Sequence, residues 1–85
     1  MKILVAEDEP QLLRVLTAAM EHAGYDVDPV DNGLKAVEHA KENSYDVIML
    51  DIMMPVMDGI TALKKIRESG DKTYILIRVV LVKSF

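Results

Sequence analysis

Residues 45–59 read Tyr45-Asp46-Val47-Ile48-Met49-Leu50-Asp51-Ile52-Met53-Met54-Pro55-Val56-Met57-Asp58-Gly59. Val47 to Leu50 form an apolar run suited to a strand buried on both faces of a sheet, and too short to make a helix alone. The run ends on a carboxylate. A charge directly after a buried strand is costly unless it sits in a crevice with partners. In open α/β sheets that crevice, beyond the carboxyl ends of the strands, is where ligands bind. An Asp at such a place can also do no more than cap a turn, so this stretch by itself leaves both roles open.

The start of the chain repeats the pattern. Ile3 to Ala6 is a second short apolar run, and Glu7, Asp8 and Glu9 follow it. Two parallel strands side by side would bring Glu7, Asp8 and Asp51 to one edge of the sheet. Carboxylates that close repel one another unless a cation or raised pKa values relieve them. Oxygen-only ligands suit a hard cation, and Mg²⁺ commonly takes one or two carboxylates plus waters and phosphate oxygens. Glu9, directly before Pro10, reads instead as a helix-start residue favoured by the macrodipole.

Glu7-Asp8, Asp51, Met54-Pro55 and Asp58-Gly59, in this order and spacing, resemble the receiver domain of two-component response regulators, from Met1 to about Ile77. The resemblance implies an α/β, flavodoxin-like parallel sheet flanked by helices, with strand order 2-1-3-4, in a single domain over residues 1–85. It implies that Asp51 is the phospho-acceptor, that Asp8 binds Mg²⁺ directly and Glu7 through water, and that the backbone carbonyl of Met53 completes the protein ligands. It further implies a sensor histidine kinase, or a small-molecule phosphodonor, as the source of the phosphoryl group. The role is then that of a signalling module whose chemistry is directed at itself.

Composition sets independent bounds. Eighty-five residues make one domain, near the low end of what forms a sufficient core. Half the residues are hydrophobic (51%), which argues against disorder. A net charge of −4 argues against nucleic-acid binding through this domain. There is no cysteine, hence no disulfide framework or thiolate metal site. No apolar run reaches the length of a membrane span and no secretion signal is evident, so a cytoplasmic protein is expected.

Strand and helix alternate along the chain. Pro10 opens a helix with Leu12, Leu16, Ala19, Met20 and Ala23 as its core-facing stripe, ended at Gly24. Tyr25 to Val30 reads as a second strand, placed at an edge by Pro29. Asp31-Asn32-Gly33 turns into a helix from about Leu34 to Glu42, with Leu34, Val37 and Ala40 apolar and His39 on a solvated face. Met53, Met54, Val56 and Met57 make an apolar loop, with Met54 under the sheet and the others half-covering the crevice or forming a docking surface. Asp58 caps a third helix that uses Ile60, Leu63 and Ile66.

Lys72 to Ile77 begins a fourth strand, and there the resemblance ends. The hydroxyl with which the family contacts the phosphoryl group falls on Val79, which cannot donate a hydrogen bond. The tail over residues 78–85 has two readings: one long strand from Tyr74 to Val82, or a remnant of a fifth strand in which Lys83 matches the family's lysine. A parallel fifth strand needs a crossover of a dozen or more residues, and none is available. Lys83 then reaches Asp51 only by bending back over the crevice, or enters a neighbouring copy's site. Either way the fourth strand is a long apolar edge, which predicts a homodimer or swapped oligomer through residues 74–82. The rival to a working receiver is an oligomerising scaffold that keeps the acidic site and no longer switches.

Overall fold

The structure, a computed structural model, describes residues 1–79; Lys83 and the rest of the expected tail from residue 80 onward lie outside the described residues. Seven elements follow in strict alternation: β1 (Lys2–Ala6), α1 (Pro10–His22), β2 (Asp26–Val30), α2 (Gly33–Glu42), β3 (Val47–Asp51), α3 (Gly59–Glu68) and β4 (Tyr74–Arg78). The strands form one parallel sheet of order β2-β1-β3-β4, the order expected from the sequence. Chain direction across the sheet reverses after β2, so the gap between β1 and β3 is the topological switch point, where a ligand crevice opens.

Alternation along each strand sorts the core onto two faces. Leu4, Ala6, Ile48 and Leu50 pack with Ala36, Val37 and Ala40 of α2 and Ala62 and Ile66 of α3. Ile3, Val5 and Val27 face the other way and meet Leu13, Leu16 and Met20 of α1. The face of α1 thus differs from the expected stripe: Leu13 packs on the sheet, whereas Ala19 and Ala23 are exposed. Leu12 and Leu13 are both half-buried, but of the two only Leu13 packs on the β1–β2 core. Leu34 is likewise 41% exposed, because Gly33 and Ala36 take the close positions against the loop and sheet. His39 is half-buried and no part of an open solvated face.

Local signals explain the helix ends. Glu9 caps α1, its carboxylate accepting from the Leu12 N–H at 2.7 Å, and Asn32 caps α2 by accepting from Lys35 N–H at 2.8 Å. Asp58 caps α3 through the Thr61 N–H at 2.7 Å, and this bond holds its carboxyl below the ordinary Asp range. β2 begins one residue later than expected, at Asp26, with Pro29 on the edge strand as anticipated.

β4 stops at Arg78, and Val79 lies beyond it, 63% exposed. The described part of the expected strand from Tyr74 to Val82 ends at Arg78, and its remainder beyond Val79 lies outside the described residues. Ile75 and Ile77 pack against the main core, whereas Tyr74 and Leu76 on the opposite face are 65% and 40% exposed.

Candidate functional site

The register of the sheet builds the site. Ala6 pairs with Leu50, so the next residues, Glu7 and Asp51, end neighbouring strands on the same side of the pleat. Asp51 in turn pairs with Arg78 of β4. Glu7, Asp51 and Arg78 thus form one transverse row at the carboxyl edge of the sheet. Glu7 and Asp51 are fully buried and Asp8 is half-buried beside them. Each of the three acids offers an oxygen that lies within 4.8 Å of the others. The cluster forecast from two separated sequence stretches is therefore assembled in space.

Glu7 is tightly held. One carboxylate oxygen accepts the backbone N–H of Glu9 at 2.7 Å. The other accepts from an Nη of Arg78 at 2.9 Å, and the side chain of Arg78 is only 20% exposed. Arg78 was not among the expected site residues, because the sequence reading treats the fourth strand as an apolar edge. The signal was its parity: counted back from Arg78 along β4, the charged position falls level with Asp51 once the two strands are set in register. Pairing of Glu7 with a residue so distant in the chain cannot be read without that register.

The loop after β3 carries the rest of the site. Its ends are locked by glycine. A side chain on Gly59 would collide with the backbone carbonyl of Asp51, and one on Gly33 with that of Met57. Gly59 N–H reaches the Ile52 carbonyl at 2.9 Å, and Gly33 N–H the Met57 carbonyl at 3.0 Å. These close approaches seat the loop against β3 and α2, and fix where the Asp51 backbone lies. Ile52 N–H also bonds the Arg78 carbonyl at 3.0 Å, continuing the ladder one step past Asp51.

Within the loop Met54 and Met57 pack on the main core, whereas Met53 and Val56 are 66% and 76% exposed. Val56 has φ of +69°, a left-handed backbone that costs a β-branched residue about 1–2 kcal/mol. A groove of about 630 Å³ opens beside the acids, lined by Asp8, Met53, Met54, Pro55 and Ile60 among others. The site thus joins hard oxygen donors to an apolar rim. Such a donor set fits a small divalent cation and a phosphoryl group better than a soft metal.

Comparison with known proteins agrees with this geometry. The model of the response regulator receiver domain matches residues 3–82. The response regulator ArlR of Staphylococcus saprophyticus is 40% identical over 76 residues, covering 89% of this chain and 34% of the relative. The chain therefore spans about a third of the length of the curated relatives it matches. Among solved structures, the receiver domain of the Francisella response regulator 1452 superposes with a TM-score of 0.89 at 35% identity, covering 94% of this chain and 66% of that one. The receiver domain of the sensor histidine kinase PA1611 from Pseudomonas aeruginosa PAO1, solved with a magnesium ion coordinated in its active-site cleft, superposes with a TM-score of 0.85 at 37% identity, covering 89% and 64%. No helix among the described residues is long and apolar enough to cross a membrane. With its parallel sheet of the expected order and its acids gathered at the switch point, the chain belongs to the response regulator receiver domain family, the signalling domains of two-component systems.

Proposed function

We propose that this chain, as one receiver unit over residues 1–85, accepts a phosphoryl group on Asp51 from a cytoplasmic sensor histidine kinase. The observation that carries this reading is the convergence of Glu7, Asp8 and Asp51 within 4.8 Å at the switch point of the sheet. An Asp51 oxygen attacks phosphorus, and the bond from phosphorus to the donor imidazole nitrogen breaks. Its electron pair stays on that nitrogen, which takes up a proton from water, and an acyl phosphate is left on Asp51. Asp8, Asp51 and the Met53 carbonyl would hold Mg²⁺, with Glu7 acting through a water. The ion supplies neutralisation of charge on the transferring group.

The chain's own residues do the positioning. Gly59 seats the Asp51 backbone, and the apolar rim of Met53 and Met54 limits water at the groove. Val79 directly follows β4, and its side chain has no hydroxyl to donate to a phosphoryl oxygen. A missing charge-assisted contact of this kind costs about 1.5–3 kcal/mol, so the acyl phosphate is held less well than in a receiver with a hydroxyl there. Lys83 remains part of the proposal as a further phosphoryl contact from the tail.

A second reading concerns assembly. The exposed Tyr74, Leu76 and Val79 favour pairing of two copies through the β4 edge, as a homodimer or swapped oligomer over residues 74–82. Incubation with Mg²⁺ and phosphoramidate, followed by intact mass, separates a receiver from a scaffold. A gain of one phosphoryl group that disappears in Asp51→Asn supports the receiver. An unmodified protein that elutes as a dimer supports the scaffold.

A further inference from the structure

The row Glu7–Asp51–Arg78 places a cation of the protein's own inside the acidic crevice. Both oxygens of Glu7 have partners, the Glu9 N–H at 2.7 Å and the Arg78 guanidinium at 2.9 Å. Arg78 is not a surface residue that happens to reach in. Its backbone is fixed opposite Asp51 by the β3–β4 ladder and by the Ile52 N–H, and four-fifths of its side chain is covered. Arg78 Nε is buried and makes no hydrogen bond among the described residues. A buried donor left in that state is an unfavourable arrangement, and the guanidinium stays because the Glu7 carboxylate attracts it.

From this geometry we infer that Arg78 is a tethered competitor for the divalent cation, holding Glu7 in the metal-free state and weakening metal binding at the acidic cluster. The inference rests on the reading of that cluster as a cation site. Two effects act in the same direction. The guanidinium cancels one negative charge of the cluster, and a unit charge facing a dication across a few ångströms of solvated crevice is worth about tenfold in affinity. A water-mediated contact from the cation to Glu7 also has to displace or share the Arg78 bond. The same ion pair keeps the buried Glu7 compensated when no metal is bound, so the site tolerates being empty.

The test is a Mn²⁺ titration of the whole chain followed by water-proton relaxation, comparing wild type, Arg78→Met and Arg78→Lys. Arg78→Met is expected to bind Mn²⁺ about tenfold more tightly, with Arg78→Lys close to wild type. The metal-free Arg78→Met protein melts lower than wild type, and saturating Mg²⁺ closes most of that gap. Equal or weaker Mn²⁺ binding by a folded Arg78→Met protein overturns the inference and leaves the acidic-site reading standing. If neither form binds the ion, that reading falls and takes the inference with it. Should Arg78→Met not fold, ¹⁵N spectra of the wild-type guanidinium decide: a shift of the Arg78 signals as Mg²⁺ saturates supports competition, and unmoved signals overturn it.

Discussion

Carboxylates lie near both ends of the β1–β3 pair, and the two ends are wired differently. At the amino end, Asp46 accepts the Lys2 N–H at 2.7 Å while Asp46 N–H bonds the Lys2 carbonyl at 2.8 Å. Asp28, from the adjoining β2, accepts the Tyr45 hydroxyl at 2.6 Å with the Lys2 ammonium 3.9 Å away. That ammonium also lies 5.3 Å from the centre of the Tyr45 ring. Asp46 and Asp28 lie apart, and each accepts from a donor. At the carboxyl end, Glu7, Asp8 and Asp51 crowd within 4.8 Å and Arg78 answers Glu7. Dispersed carboxylates hold a fold together. Crowded ones cost stability unless a cation joins them, which is why the second end reads as a working site.

The largest effect should come from the backbone contact that seats the crowded end. Gly59→Ala gains up to about 1 kcal/mol of helix propensity, yet its methyl meets the Asp51 carbonyl, and an overpacked backbone contact costs about 3 kcal/mol. Net destabilisation of about 2 kcal/mol by urea unfolding is expected, together with loss of phosphoryl acceptance by a displaced Asp51. Unchanged stability would show that the loop yields and that Gly59 positions nothing.

Glu7→Gln probes the same end from its buried partner. The amide offers one acceptor oxygen to two donors, so its NH₂ group is forced against either Glu9 N–H or Arg78. Two charge-assisted bonds below 3 Å outweigh repulsion from the neighbouring acids, and a loss of about 2 kcal/mol is expected without metal. A stabilised Glu7→Gln protein would mean that carboxylate repulsion dominates.

At the matched end the effects are smaller and depend on pH. Burial, with the hydrogen bond to Asp28, pushes the Tyr45 phenol well above its ordinary value. The neutral phenol is thus favoured by folding, so this contribution is complete below pH ~10 and is lost as pH rises beyond it. Tyr45→Phe should cost about 1 kcal/mol at neutral pH. Its alkaline loss of stability should also be shallower than wild type. Parallel curves for the two proteins would remove Tyr45 from the account.

Val56→Gly should be the smallest change and of opposite sign. Relief of about 1–2 kcal/mol of left-handed strain is offset by about 0.5–1 kcal/mol of glycine entropy. A gain of about 0.5 kcal/mol in stability is expected, read as a rise in melting temperature.

Much of this was legible in the sequence for a physical reason. A doubly buried parallel strand must be an unbroken apolar run, so the acids closing Ile3–Ala6 and Val47–Leu50 marked both the sheet and its ligand edge. Helix faces were less legible where apolar residues adjoin, as at Leu12 and Leu13, or where glycine and alanine do the close packing, as at Gly33 and Ala36. The Arg78–Glu7 pair was legible only through the register between β3 and β4 and not from any local pattern. The strained Val56 was equally silent: its positive φ belongs to a tight turn closed by the Met57 N–H on the Pro55 carbonyl at 2.7 Å, which no residue pattern marks.

Magnesium titration followed by backbone amide spectra compares the two ends in one experiment. Shifts confined to Glu7–Glu9, Asp51–Met54 and Arg78, with Lys2, Asp28 and Asp46 unmoved, are the expected result. Shifts centred on Lys2, Asp28 and Asp46, or spread evenly over the surface, would contradict the assignment of the crowded edge as the cation site.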